Sequence, residues 1–555
     1  MRASSRNGKS PGIRTRFNAR SFSLVGAGIL LCAGIAGCLA PPAPPSQFLL
    51  SSPAHPAIGV LLTPALNWTD AVGETSYTVE IDDEDTFSSP LVHQNTGLAE
   101  NTTSFVVPGS VLTGGTTYYW RVIATNSGGS TIPRNAPWSF TPWITGPLVP
   151  GFGTGGAVTS NPSTSYDMAR AIAIDATGMY VVGSDGSPEG WNSQWRIEKR
   201  SSIDGSLVAG FGTGGVITGN SSTGSSAASN IAIDSTAMYV VGSDRSPGNA
   251  QWRIEKRSLT DGSLVPGFGT GGVVTSNPST DNDYATGIAV DPTAMYVVGC
   301  DGSPGDWNCQ LRIEKRNLTD GSLVPEFGAG GVVTGNHTGG SVDARDIAVD
   351  SAAMYVVCSE DSPESLRYQW RIEKRSLTDG SLVPEFGAGG VVTSDPSWEN
   401  DMANSIAIDS TAMYVVGHHC SYDYYGSSYN EWRVEKRSLM DGSLVPGFGA
   451  GGVVTGNPDR SPDEAHDIAI DSTAMYVVGY HWTTGSSSDQ WRIEKRSLAD
   501  GSLVPGFGAG GVVTSDPSWD DDIAYGIAID STAIYVVGSD QSPGDTQWRI
   551  EKRFK

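Results

Sequence analysis

The chain has 555 residues, 38% of them hydrophobic and 17% charged, so it is long enough for several domains and too apolar to be a disordered polymer. Its formal net charge is −24, and beyond the six basic residues that precede the first acidic one, Asp70, there remain 29 basic residues against 59 acidic. A body that acidic repels phosphate backbones and anionic membranes, which argues against nucleic acid as a partner.

Glycine at 70 residues, abundant Ser and Thr and many β-branched residues favour strands and turns, so the composition predicts an all-β protein. The N-terminus carries Arg2, Arg6, Lys9, Arg14, Arg16 and Arg20, then an apolar stretch from Ser21 to Cys38 that ends Ile35-Ala36-Gly37-Cys38. A basic segment, an apolar run and small residues at its end form an export signal. The last four residues resemble the lipobox of bacterial lipoproteins, which implies that Cys38 becomes the lipidated first residue and holds the chain on a membrane. Residues 1–38 are then the signal, and 39–45, with Pro41-Pro42-Ala43-Pro44-Pro45, a Pro-rich tether. An uncleaved membrane helix is the alternative, since about 18 to 20 apolar residues just span a bilayer. Either route exports the bulk of the chain to the cell envelope or surface.

Residues 46–143 differ in pattern from the rest of the chain. Leu66-Asn67-Trp68, Ser76 to Ile81 and Leu112 to Val122 alternate apolar and polar, which puts Tyr118, Trp120, Val122 and Ala124 on one sheet face. The order of Trp68, a Leu before a Gly-Thr turn, and Tyr118 after Thr116-Thr117 resembles a fibronectin type III domain, an immunoglobulin-like sandwich. The aromatics are then core residues, and no Arg-Gly-Asp tripeptide is present.

From 148 to 555 one phrase, LVPGFGxGGVVT or a close variant, recurs around Phe152, Phe211, Phe268, Phe327, Phe386, Phe448 and Phe507, with units starting near 148, 207, 264, 323, 382, 444 and 503. Each unit offers four strands: Gly-Gly-Val-Val-Thr, Ile-Ala-Ile-Asp, Met-Tyr-Val-Val-Gly and Gln-Trp-Arg-Ile-Glu-Lys-Arg. The connections are too short for crossover helices, so each unit is an antiparallel meander. The region opens with a spare strand and ends one strand short, and pairing the two closes a ring without exposed edges. The expected architecture is a seven-bladed β-propeller of four-stranded blades, with an open solenoid as the alternative. The units resemble the delta-60 family of bacterial repeat proteins, although the turn after Ile-Ala-Ile-Asp reads Ser-Thr-Ala in most copies, with a Gly only at Gly178, where that family suggests Asp-Gly.

The recurring Trp195, Trp252, Trp370, Trp432, Trp491 and Trp548, with Leu311 in the third copy, read as packing between blades, and the Arg-x-Glu pairs beginning with Arg196 and Glu198 as blade-to-blade ion pairs. FGxGG is followed by no helix and no Lys-Ser/Thr, so it is no phosphate loop, and no nucleophile elbow or zinc helix occurs. Cys300 and Cys309 flank one loop and are expected to form a disulfide. His418, His419, Cys420 and Asp423 are metal-ligand types without regular spacing, so no metal site is assigned. No cofactor is expected; Asp520-Asp521-Asp522 is the run whose oxygens would suit Ca²⁺, a solvated loop being the alternative. By parity of the meander, the loops before Ile-Ala-Ile-Asp and after Met-Tyr-Val-Val-Gly share one face, and both vary among copies. Trp398, Tyr422, Tyr424, Tyr425, Trp482 and Trp519 sit in them as candidate ligand contacts. The sequence therefore predicts a non-catalytic, lipid-anchored envelope or surface protein that binds an extracellular protein or glycan. A glycan lyase or hydrolase on the propeller, or a purely structural envelope component, are the alternatives.

Overall fold

The computed structural model describes residues 42–555 apart from 61–62, 89, 109–110, 143–145, 187–191, 220–223, 247, 303–308, 336–339, 363–366, 398, 423–427, 457–461, 484–487, 519 and 543. The signal and Cys38 lie outside these residues.

The first unit is built from two sheets. Leu50–Ser52, Ala65–Trp68 and Ser104–Val106 form one, and Ala57–Val60, Trp138–Pro142, Tyr118–Asn126, Ser76–Asp82 and His93–Ala99 the main path of the other. Along Tyr118–Asn126 the alternation seen in the letters becomes alternate burial, and Tyr118, Trp120, Val122 and Ala124 enter a core with Leu66, Trp68, Tyr77, Val79 and Phe140. The Tyr118 hydroxyl accepts the Thr113 backbone N–H at 2.9 Å, fixing the chain at the entry to that strand.

The repeat region consists of four-stranded antiparallel sheets. In one of them Met168–Asp175, Gly178–Asp185, Gln194–Arg200 and Val216–Gly219 pair in chain order, and the same order recurs in sheets that open at Ser226, Tyr284, Val342, Met402 and Asp463. The Val-Val-Thr segment that begins each sequence unit is thus the outer strand of the preceding sheet. Ile523–Ile529, Ala533–Asp540 and Gln547–Phe554 lack such a successor, and Ala157–Ser160 fills the place, with Ala157 opposite Glu551 and Ser160 opposite Trp548. Val149 N–H adds a bond to Lys552 O at 2.8 Å. Start and end of the repeat region are joined in one sheet.

Several local choices now have causes. The second strand is buried along its whole length, as Gly178–Asp185 shows, which explains its unbroken Met-Tyr-Val-Val run. Its Gly183 is needed because a Cβ there would stand 1.9 Å from Met168 O of the inner strand. In FGxGG, Gly153, Gly155 and Gly156 have φ of 52°, 66° and 96°, a left-handed turn that tucks Phe152 under the sheet. The Ser-Thr-Ala turn works without Gly because the preceding Asp caps it: Asp234 Oδ1 accepts Thr236 N–H at 2.6 Å and Ala237 N–H at 2.8 Å. A disulfide joins Cys300 to Cys309, with Cα atoms 5.3 Å apart, across the loop between second and third strands of its sheet.

The third strand ties neighbouring sheets together. Trp195 Nε1 donates to Ser243 O of the next sheet at 2.9 Å, and the bond recurs from Trp252, Trp370, Trp432 and Trp491. Trp548 donates to Ser184 O at 2.9 Å, which carries the pattern across the closure. The ion pairs differ from the expectation. Glu198 is fully buried and is clasped by Arg196 at 2.7 Å and Arg200 at 2.6 Å of its own strand, so the charges pair along the strand rather than between blades. Strand neighbours two apart share a face, and one acid between two guanidiniums is neutralised locally before either can reach across. The link to the next sheet is instead a stack: the Arg253 guanidinium lies over the Trp195 ring, 5.5 Å from its centroid.

Replacing Trp548 by Phe keeps most of the packed volume and leaves the Ser184 carbonyl without its donor. A loss of about 1–3 kcal/mol is expected in urea unfolding; an unchanged midpoint with an unchanged slope would show that the closure carries no load.

Candidate functional site

The loops of the variable face meet as chain parity requires. In the fifth copy the Tyr422 hydroxyl, on an exposed ring, donates to Glu399 Oε1 at 3.0 Å, joining the loop before the inner strand to the loop after the second. Trp482 is half-buried, its backbone N–H donating to Pro462 O at 3.1 Å. Trp398, Tyr424, Tyr425 and Trp519 lie outside the described residues, as does Asp423. Within the acidic run Asp520-Asp521-Asp522, Asp522 is buried and takes the Ser518 hydroxyl at 2.9 Å and the Gln541 N–H at 2.9 Å. Burial pushes this carboxyl up to about 6. It is a loop clasp, repeated by Asp167, Asp283 and Asp401 with Ser163, Ser279 and Ser397.

The His and Cys residues of the fifth copy point to separate partners. His418 Nδ1 lies 3.7 Å from Glu464, His419 Nε2 lies 3.6 Å from Glu431, and the Cys420 N–H donates to Asp401 at 2.9 Å. Burial holds both imidazoles below their ordinary pKa. Among the described residues no group of three His, Cys, Asp or Glu side chains is arranged to hold a metal ion.

What sequence reasoning missed lies on the axis. Every inner strand breaks register at the same point, after Ala169, Ala228, Ala285, Ala344, Ala403, Ala465 and Ala524. A bulge re-aims the side chains beside it. The residue it inserts varies from copy to copy inside an otherwise repeated strand: Arg170, Ser229, Thr286, Arg345, Asn404, His466 and Tyr525. That confined variability was the available signal. All but Thr286 line a cavity of about 220 Å³ that every inner strand but the third reaches with its bulge and the third reaches with Ile288. Several bulge side chains also hold the next strand, Thr286 Oγ1 donating to Ala344 O at 2.8 Å and Asn404 Nδ2 to Ala465 O at 2.8 Å.

Two carboxyls face each other through one hydroxyl in this cavity. Ser405 Oγ is 2.8 Å from Asp346 Oδ2 and 2.8 Å from Asp467 Oδ1. A hydroxyl has a single hydrogen, so both contacts are hydrogen bonds only if one carboxyl is protonated. Burial, and then the Asp467 charge, push Asp346 up to about 7, and burial raises Asp467 also.

Two further carboxyls, on the inner and third strands of the sheet that opens at Asp463, are driven apart in pKa. Burial alone would raise Glu464, but the imidazoles of His466 and His418 and the Asn430 amide, 2.7 Å away, hold it down at about 2. Asp489 is pushed up to about 7, first by burial and then by the charges of Asp521, Glu464 and Asp463. His466 stacks on Tyr525 with ring centroids 5.3 Å apart and its Nδ1 lies 3.0 Å from Ala524 O, which orients the imidazole against Glu464.

No family model and no curated protein matches the chain. Solved structures similar to it are β-propeller proteins. The beta-propeller domain of the Trilobed protease from Pyrococcus furiosus is 10% identical over 72% of this chain and 95% of that one, with a TM-score of 0.35. An exo-1,5-alpha-L-arabinanase from a bovine ruminal metagenomic library is 11% identical over 48% and 91%, TM-score 0.23. The GH43 endo-arabinanase from Bacillus licheniformis is 14% identical over 49% and 98%, TM-score 0.24. Two of these three are glycan-cleaving enzymes, against the expectation that the chain is no enzyme; at 11% and 14% identity the likeness itself is one of fold. The expectation rested on missing motifs, but a pair of carboxyls with separated pKa values is made by burial and neighbours and leaves no fixed spacing in the letters.

The Asp346 shift has a pH consequence. Its folded pKa of about 7 lies above the unfolded value near 3.8, so the folded state binds the extra proton between them. Stability is therefore full below pH 4 on this account and is lost as pH rises through 7, by on the order of 1–3 kcal/mol after solvent screening. Asp346→Asn, which places the residue found at Asn230 of the second copy, is expected to flatten the difference between melting temperatures at pH 5 and pH 8. An undiminished difference would rule out this pair as its source.

Proposed function

We propose that the chain is an exported, glycan-active protein whose repeat region is a seven-bladed β-propeller of the delta-60 repeat type, carried on a fibronectin type III unit and a lipid at Cys38. The observation that carries the reaction is the opposite tuning of Glu464 and Asp489. At neutral pH the first is ionised and the second retains a large share of its proton, the division of labour that glycosidic bond cleavage requires. In this reading Asp489 gives a proton to the leaving oxygen, while Glu464 acts as base or nucleophile at the sugar carbon. His466, His418 and Asn430 keep Glu464 charged and fixed. Glycan fits the polar surroundings, and of the variable-loop aromatics the exposed Tyr422 and half-buried Trp482 offer faces for sugar rings. The Tyr118 to Thr113 bond and the alternating core strand support the fibronectin reading of residues 46–143. The lipobox, export and envelope location rest on the order of basic, apolar and small residues before Cys38.

Release of reducing ends from a panel of polysaccharides tests the reaction. Glu464→Gln and Asp489→Asn are each expected to lower kcat roughly a hundredfold or more, with melting temperatures close to that of the parent. In the parent the rate should fall above about pH 7 as Asp489 loses its proton. Activity undiminished in both variants, or no release from any glycan, overturns the assignment. Separately, Cys38→Ala should move the protein from the detergent to the aqueous phase on partitioning; retention in the detergent phase would favour an uncleaved helix.

A further inference from the structure

We propose that the axial cavity takes the carboxylate of an acidic sugar, a uronate at the end of a glycan, with Arg170 as its principal contact and Arg345 as the second. This rests on the glycan reading above and narrows its substrate.

Arg170 and Arg345 are the two guanidiniums of the cavity lining, which also includes the imidazole of His466. The Nε of each is buried with no hydrogen-bond partner, a cost that a structure rarely leaves unanswered. Arg345 has a carboxylate, Asp343, at 3.0 Å from Nη2. Arg170 has none among the described residues, and its guanidinium donates only to Met168 Sδ at 3.8 Å.

The reason is local: two residues before Arg345 stands Asp343, and two before Arg170 stands Met168. The residue after the bulge is Asn230, Asp346 and Asp467 in the second, fourth and sixth copies, and Ala171, Gly287, Ser405 and Gly526 in the others. Asp346 and Asp467 each accept a backbone N–H of the following strand, at Ile406 and Ile527. The copy beside Arg170 is the seventh, one of those without a carboxylate after its bulge, as the third is beside Arg345. Gly526 of the seventh sits where a Cβ would come 2.8 Å from Arg170 O. The first copy thus carries a guanidinium that has no carboxylate partner among the described residues. On the other side, the Ser405 hydroxyl lies 2.8 Å from both Asp346 and Asp467, and a proton on either carboxyl lowers the negative charge a carboxylate ligand would meet. Glu464 has His418 at 3.7 Å and His466 at 3.6 Å.

A guanidinium fork suits a carboxylate in plane and charge better than it suits a neutral hydroxyl. The volume, about 220 Å³, is below the range usual for drug-sized ligands and admits at most one sugar unit rather than a threaded polymer. The long-range field of a chain at −24 opposes any anion, but it is screened within about 8 Å at physiological salt, whereas the cavity contact is not.

Calorimetric titration of the full chain with D-galacturonate, D-galactose and acetate tests the site. Galacturonate is expected to bind at least tenfold more tightly than either of the others. Arg170→Met should lose roughly ten- to hundredfold of that affinity, the worth of a charge-assisted pair, with an unchanged melting temperature, and Arg170→Lys should retain part of it. Equal affinity for galactose, acetate binding as tightly as galacturonate, or undiminished binding by Arg170→Met would each overturn the proposal. Galacturonate bound by Arg170 in a protein that cleaves no glycan would leave this site standing and remove the catalytic reading alone.

Discussion

The structure of the repeat region depends on one strand sequence, Gln-Trp-Arg-Ile-Glu-Lys-Arg, and on the fact that nearly every side chain in it has a task. The Trp bonds forward to a carbonyl of the next sheet. The Glu is held between two Arg side chains of its own strand and, in alternate copies, receives a Ser hydroxyl of the preceding sheet, as Ser276 to Glu314 at 2.8 Å. The Lys reaches forward again, Lys256 Nζ donating to Leu318 O at 2.7 Å. Burying such a triad gives little net stability, since desolvation offsets the attraction, but removing one member leaves a buried charge unanswered and costs several kcal/mol. The ion triads therefore fix spacing and angle between sheets, while the apolar clusters around Phe152, Tyr535 and Trp548 and their counterparts supply the stabilising burial.

Most of this frame was legible in the letters because it is repetitive. The four strands, the meander and the pairing of Ala157–Ser160 with the last copy follow from periodicity, short turns and a count of strands at the two ends. The direction of the ion pairs did not follow, because sharing a strand face is compatible with pairing along the strand or across sheets, and only the burial of Glu198 decides between them. The turn after Ile-Ala-Ile-Asp was read as a departure, yet Asp234 caps it without help from glycine.

The candidate site was less legible, for a physical reason. Attention to variable loops found Tyr422 and Trp482, but the axis is lined from within strands, and a bulge is invisible to a period-two reading because it shifts register by one and then resumes it. Glu464 and Asp489 are ordinary acidic residues in an acidic chain. Their difference is created by His466, two residues along the strand of Glu464, and by His418, Asn430 and Asp521, which come from other strands and loops. A constant scaffold with one variable residue per copy pointing at a common axis is a way to vary chemistry without altering packing.

The strand that completes the last sheet lies directly after the first unit in the chain. Any pull on residues ahead of 148 is consequently delivered to Ala157–Ser160 before it reaches another element of the ring. The force runs along an antiparallel pair, so its backbone bonds bear the load together in shear rather than parting one at a time. Mechanical failure of the protein would then begin at the seam as an all-or-none event, and a ring under tension would hold its axial geometry until the moment it opened.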